Sequence, residues 1–234
     1  MKILAVDTAV KSCSVAIVDK ESVLAELTLS IEQTHSKHLM EMINAAAKLS
    51  GIIVSELDGF AVTRGPGSFT GLRIGISSIK GLAAATRKPL VGVSSLDALA
   101  RQCFFSQYLI CPLLDARRGE VYFSRYRFNG NILKKEIDEQ VLPPGEAVCD
   151  INEACIFVGD GAFVYQKAIR DKLGPLAHFA LPSQSAIRAS TIANISMDRF
   201  KNNDTDDIRS FVPFYIRKTY AELSLPFTHK LSLH

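Results

Sequence analysis

The chain has 234 residues, 47% of them hydrophobic, enough for one large domain or two lobes with their own cores. Its 27 basic and 24 acidic residues leave a net charge of +3, a balance too mild to argue for nucleic acid without a concentrated basic stripe. Five cysteines, with no C-x-x-C pair, exclude a disulfide frame and a zinc ribbon, and no apolar run of about 18 residues is present to span a membrane.

Residues 2–7 (KILAVD) form an apolar run ending in an acid, the pattern of a strand buried on both faces. Cys13–Val18 and Val23–Leu29 come next across short polar breaks, so the spacing predicts an antiparallel meander of three strands. His35 to Leu49 has helical spacing, with Leu39, Met42, Ile43, Ala46 and Leu49 at steps of three and four and Gly51 at its end. Phe60–Thr63 reads as a strand, Phe69 to Thr86 as a helix, Leu90–Val93 as a strand, and a serine-capped helix runs to about Phe104.

The second half repeats this order. Tyr108–Asp115 is again an apolar run ending in an acid, Glu120–Phe128 and Ile132–Ile137 flank an Asn-Gly-Asn turn, and Cys155–Val158 is a strand. A helix over Ala162–Leu173, a weak strand at His178–Leu181 and a helix over about Ser185–Asn202 complete it. A repeat of this length implies two similar α/β lobes, residues 1–106 and 107–234, each with a mixed sheet, the last segment docking or packing back on the first lobe.

Three features invite a functional reading. Asp7 and Asp115 stand at matching points of the two repeats, where open sheets bind ligands. Two facing carboxylates can hold a magnesium ion beside a nucleotide, or each can cap its own turn. The stretch TRGPGSFTGLRIGIS (residues 63–77) packs glycines into the start of a helix. It is neither a dinucleotide fingerprint nor a Walker loop, and Pro66 removes an amide donor. Gly71, Gly75, Ser77, Ser78 and Gly81 instead keep that helix thin enough for close packing, within its own lobe or against a partner. His35 and His38 lie three apart with no third ligand in view, so no metal is expected. The basic pairs Arg117-Arg118, Lys134-Lys135 and Arg217-Lys218 read as solvated turns and edges.

The segments ILAVDTA, HSKHLMEMI, TRGPGSFTGLRIGIS, GVSSLDALA, DARRGEVY, VGDGA and PFYIR occur in this order over almost the whole chain, which resembles the TsaB (YeaZ) family of bacteria. The resemblance implies an actin-like ATPase fold of two ribonuclease-H-like lobes. It implies a non-catalytic partner of TsaD, required for threonylcarbamoyl transfer to N6 of adenosine 37 in tRNAs reading codons that begin with A. TsaE joins as third component, the tRNA is met through the complex, and the chain is a homodimer when alone. The expected interface comprises His35, Leu39, Met42, Ile43, Ala46, Gly71, Gly75, Ser78 and Leu82. Asp7, Asp115, Gly159 and Gly161 are expected to mark a degenerate nucleotide cleft, with no cofactor required and ATP with magnesium bound only weakly or at the subunit junction. The rival reading is an actin-like ATPase or phosphotransferase acting alone through Asp7 and Asp115. A cytoplasmic location is expected.

Overall fold

The computed structural model describes residues 1–20, 22–30 and 35–217. The first lobe contains β1 (Lys2–Asp7), β2 (Cys13–Asp19), β3 (Ser22–Leu29), α1 (His35–Ser50), β4 (Gly59–Gly65), α2 (Phe69–Thr86), β5 (Leu90–Ser94) and α3 (Ser95–Gln102). The second contains β6 (Leu109–Arg117), β7 (Glu120–Asn129), β8 (Ile132–Leu142), α4 (Pro144–Ala147), β9 (Cys155–Val158), α5 (Asp160–Val164), α6 (Gln166–Leu173), β10 (Ala177–Phe179) and α7 (Ala189–Lys201).

The sheets have the orders β3-β2-β1-β4-β5 and β10-β9-β6-β7-β8, the same topology read from opposite edges. In each, three antiparallel strands are joined by two parallel ones. This is the duplicated ribonuclease-H-like architecture of the actin-like fold. The central strands β1 and β4 are buried almost throughout, as strands covered by helices on both faces must be. The edge strands β3 and β8 carry exposed polar positions instead.

Three departures from the sequence reading have a clear physical cause. The helix expected over Ala162–Leu173 is broken at Tyr165, whose φ of −108° and ψ of 17° leave helical geometry while its hydroxyl reaches Asp115. The last helix starts at Ala189 rather than Ser185, because Pro182–Gln184 forms a separate tight turn. Strand β8 runs on to Leu142, its charged residues tolerated because it is an edge.

The lobes are interlocked. On one face of the first sheet α1 covers β2 and β3, and α2 covers β4. The other face is covered by α7, which comes from the second half and packs on β1, β2, β4 and β5. Reciprocally, α3 reaches β6, β7 and β8. One core therefore joins Ile3, Leu4 and Val62 of the first lobe to Ile110, Leu114 and Val158 of the second, while a smaller core lies under α4 and α6. After α7 the chain returns across the first lobe. The Asp206 carboxylate accepts the Gly92 amide at 2.8 Å, Phe211 packs over Gly92, and the Phe214 amide donates to the Arg64 carbonyl at 2.7 Å. The final residues 218–234 lie outside the described part.

Candidate functional site at the lobe cleft and the α1–α2 face

The glycines before and within α2 have a local cause. A Cβ at Gly67 would overlap the Ala9 carbonyl, one at Gly71 the Thr8 carbonyl, and one at Gly75 the Thr8 hydroxyl. The turn after β1 thus lies directly against the start of α2. Hydrogen bonds fix it there: Thr8 Oγ1 donates to the Gly71 carbonyl at 2.7 Å and the Ser68 amide to the Ala9 carbonyl at 2.7 Å. Ser68 caps the helix by accepting the Gly71 amide at 3.2 Å. A phosphate cradle needs free amides at this point. Here those of Ser68 and Gly71 are occupied, and Pro66 has none.

Asp7 closes the same corner. It is fully buried, and its Oδ1 accepts from Thr63 Oγ1 at 2.7 Å and from the Ala9 amide at 3.1 Å. Its Oδ2 has no partner among the described residues. Burial pushes the carboxyl up to about 7, outweighing the hydrogen bonds that favour the anion. Nearby Cys13 is pushed up to about 12 by burial, which removes it as a nucleophile.

The matching corner of the second lobe is built differently. Asp115 accepts the Arg117 amide at 2.9 Å and the Tyr165 hydroxyl at 3.3 Å, and the Arg117 guanidinium lies 3.4 Å from its other oxygen. Asp160, at the start of α5, accepts the Asp115 amide at 3.0 Å, and burial pushes its carboxyl up. Gly159 and Gly161 repeat the packing device of the first lobe: a Cβ at Gly159 would overlap the Leu113 carbonyl, and one at Gly161 would lie 2.9 Å from Leu114 main chain. Asp7 is thus fully buried, whereas Asp115 faces the Arg117 guanidinium. Among the described residues no three His, Cys, Asp or Glu side chains are arranged to hold a metal.

The residues expected to meet a partner fall into two groups. Leu39, Met42, Ile43 and Ala46 are between 0% and 5% exposed and pack into the core of their own lobe. Gly71 and Gly75 are buried against Thr8. These six are corrected from interface to interior, because the apolar stripe of a helix goes to the nearest sheet. Ser78 and Leu82 are half-buried on the outer side of α2, and the side chain of His35 lies outside the described residues. Leu49, counted with the apolar stripe, is 72% exposed. The open surface of the α1–α2 layer is instead formed by Met40, Asn44 and Leu49 on α1 and by Ile74, Ser77, Ser78, Gly81, Leu82 and Ala85 on α2. Among the described residues nothing lies within 4 Å of a Cβ placed on Gly81. Sequence reasoning also missed Thr63, the partner of Asp7, and named no contacts for residues 206–217. No spacing rule connects either to its contacts.

A family model described as TsaD, tRNA N6-adenosine threonylcarbamoyltransferase, matches residues 22–225. The tRNA threonylcarbamoyladenosine biosynthesis protein TsaB of Escherichia coli is 31% identical, with 97% of this chain and 99% of that protein aligned. The chain belongs to the TsaB family. TsaB of Bacillus subtilis is 29% identical, covering 95% of this chain and 96% of its own length. The solved structure of YeaZ from Pseudomonas aeruginosa superposes with a TM-score of 0.79 at 26% identity, covering 92% of this chain and 99% of that one. Component A of (R)-2-hydroxyglutaryl-CoA dehydratase from Acidaminococcus fermentans, at a TM-score of 0.53 and 8% identity, shares the fold alone. The glycines that press the helix starts of this TsaB-family chain against β1 and β6 are therefore read as features of its packing.

Proposed function

We propose that this chain serves the formation of threonylcarbamoyladenosine in tRNA as a non-catalytic subunit that docks on TsaD. The observation that carries the reading is the outer face of the α1–α2 layer. On α2 it runs through the small residues Ser78, Gly81 and Ala85, bordered by the half-buried Ile74 and Leu82, with an open glycine at its centre. Such a surface lets another helix approach to the short end of interaxial distances, about 8 Å. The partner would bring helices of its own, since the family model that matches this chain is that of the transferase. Support for a non-catalytic role comes from the cleft, where the two matched carboxylates are engaged by the protein itself. In this reading no nucleotide is required for folding or docking, TsaE joins the assembled pair, and the same face pairs two copies when TsaD is absent.

The subunit would act by population shift, binding the TsaD conformation competent for transfer more tightly than the others. The test is a tRNA modification assay supplied with threonylcarbamoyl-adenylate. The expected result is no product with this chain alone and restored product when TsaD and this chain are combined. Product from the chain alone, or tight Mg-ATP binding that vanishes in Asp7→Ala, would overturn the reading in favour of an independent enzyme.

A further inference from the structure

Arg117, Arg125, Arg127, Lys135, Arg188, Arg199 and Arg217 each face a carboxylate. Along one edge of α2 lies a cluster of cations that face no carboxylate among the described residues. Arg73 and Lys80 lie seven residues apart on the helix, two turns or about 10 Å, and Arg87 follows its last residue as a left-handed C-cap. The returning segment runs beside them: Lys80 Nζ donates to the Phe211 carbonyl at 2.8 Å, and Arg73 Nε donates to the Tyr215 hydroxyl at 3.2 Å. That segment adds Arg209, and β4 adds Arg64. None of these five has a carboxylate partner among the described residues. The acids close by are already engaged, Asp206 by Arg199 at 3.1 Å and Asp207 by Ser210 at 2.8 Å.

Two of the arginines are also held on aromatic rings. The Arg73 guanidinium lies 3.8 Å from the centre of the Phe69 ring, which itself stacks on Tyr215 at 5.0 Å. Arg64 lies 5.6 Å from the centre of the Phe214 ring. Phe69 and Phe214 are 41% and 42% exposed. A guanidinium resting on a ring keeps its N–H edge outward and loses little further freedom on binding, which suits bidentate recognition of phosphate.

We propose that this edge, α2 with residues 209–215, contacts the phosphate backbone of the tRNA. The inference rests on the partner-subunit reading above: the edge borders the outer face of α2, so RNA held by a transferase docked there would pass along it. Unpaired arginines with exposed aromatics fit a polyphosphate strand better than an acidic protein surface, because exposed rings can also take a base.

The experiment uses the assembled complex of this chain with TsaD and measures binding of a labelled tRNA transcript by fluorescence anisotropy over a salt series. Arg73, Arg87 and Arg209 are changed together to Gln, beside a control with Lys20, Lys134 and Lys172 changed to Gln. The expected result is a complex that co-elutes normally but binds tRNA roughly 10-fold more weakly, with the slope of log K against log salt shallower by roughly 2. Full activity at saturating tRNA should remain. Unchanged tRNA affinity, or an equal loss in the control, would overturn the proposal. Loss of the complex in the triple variant would also overturn it, by making the edge a protein contact. Failure of the wild-type pair to assemble would be a failure of the partner-subunit reading instead.

Discussion

Asp7 and Asp115 end the first strand of their lobes and have opposite surroundings. Asp7 sits in a sealed corner, with Thr63 and a main-chain amide on one oxygen and no partner among the described residues on the other. Asp115 keeps 13% of its side chain exposed, has Tyr165 beside it and faces Arg117, a side chain 71% exposed. The neighbouring sequences, AVDTA and LLDAR, differ chiefly in the two residues after the acid. An arginine two residues on lets the second acid remain at the surface; the threonine after Asp7 turns inward and fixes α2. The matching position is thus a structural plug in one lobe and a partly exposed ion pair in the other.

The largest effect expected from this difference is a pH dependence that belongs to Asp7. In the unfolded chain the carboxyl loses its proton near pH 4; in the folded chain it does so near pH 7. Between these values the native state keeps a proton that the unfolded state has released, so this group's contribution to stability falls as pH rises through the window. The fall amounts to roughly 4 kcal/mol when fully expressed and levels off above the folded value. Asp7→Asn stays neutral throughout. Urea unfolding should show it level with the wild type near pH 4 and more stable by up to roughly 4 kcal/mol near pH 8. A stability difference that does not change with pH would contradict the sealed corner.

The next effect tests what the lobes share. Gly71→Ala places a methyl group on the Thr8 carbonyl, and Gly161→Ala places one on the main chain of Leu114. Both are backbone collisions that no rotamer relieves, and each should cost roughly 3 kcal/mol. A loss below about 0.5 kcal/mol in either, within the range of ordinary surface changes, would mean that the helix starts are not pressed against β1 and β6. The smallest effect is expected at the ion pair of the second lobe. Asp115→Ala removes a turn hydrogen bond and an ion pair with a largely exposed arginine. Thermal unfolding should report a loss of about 1 kcal/mol. A loss as large as that of Gly71→Ala would show that the second corner is as structural as the first.

Much of the fold was legible because each element carries its own signal. The apolar runs of β1 and β6, the Asn-Gly-Asn turn between β7 and β8, and the limits of α2 come from local chemistry. What was not legible depends on partners distant in sequence. The stripe Leu39, Met42, Ile43 and Ala46 announces burial, but periodicity does not say what buries it, and the chain's own sheet does. The same holds for α3 and α7, whose patterns cannot tell that each reaches the other lobe's sheet. The glycines of α2 were recognisable as sites of close approach, yet the approaching atoms belong to Thr8 and Ala9, some sixty residues earlier. The face left open on α2 consists of Ser, Gly and Ala with an occasional Ile or Leu, a pattern too weak in hydrophobic contrast to stand out.

Gly81 is the position where docking can be tested most directly, since it lies at the centre of that open face and a Cβ there meets none of the described residues within 4 Å. The measurement is co-elution with TsaD of the same organism on a sizing column, comparing wild type, Gly81→Ala and Gly81→Trp. Gly81→Ala should fold at least as stably as the wild type, by helix propensity. A stable complex is expected with the wild type and with Gly81→Ala, and its loss with Gly81→Trp while the variant itself stays folded. No complex with the wild type, or an undiminished one with Gly81→Trp, would contradict docking through the α1–α2 face.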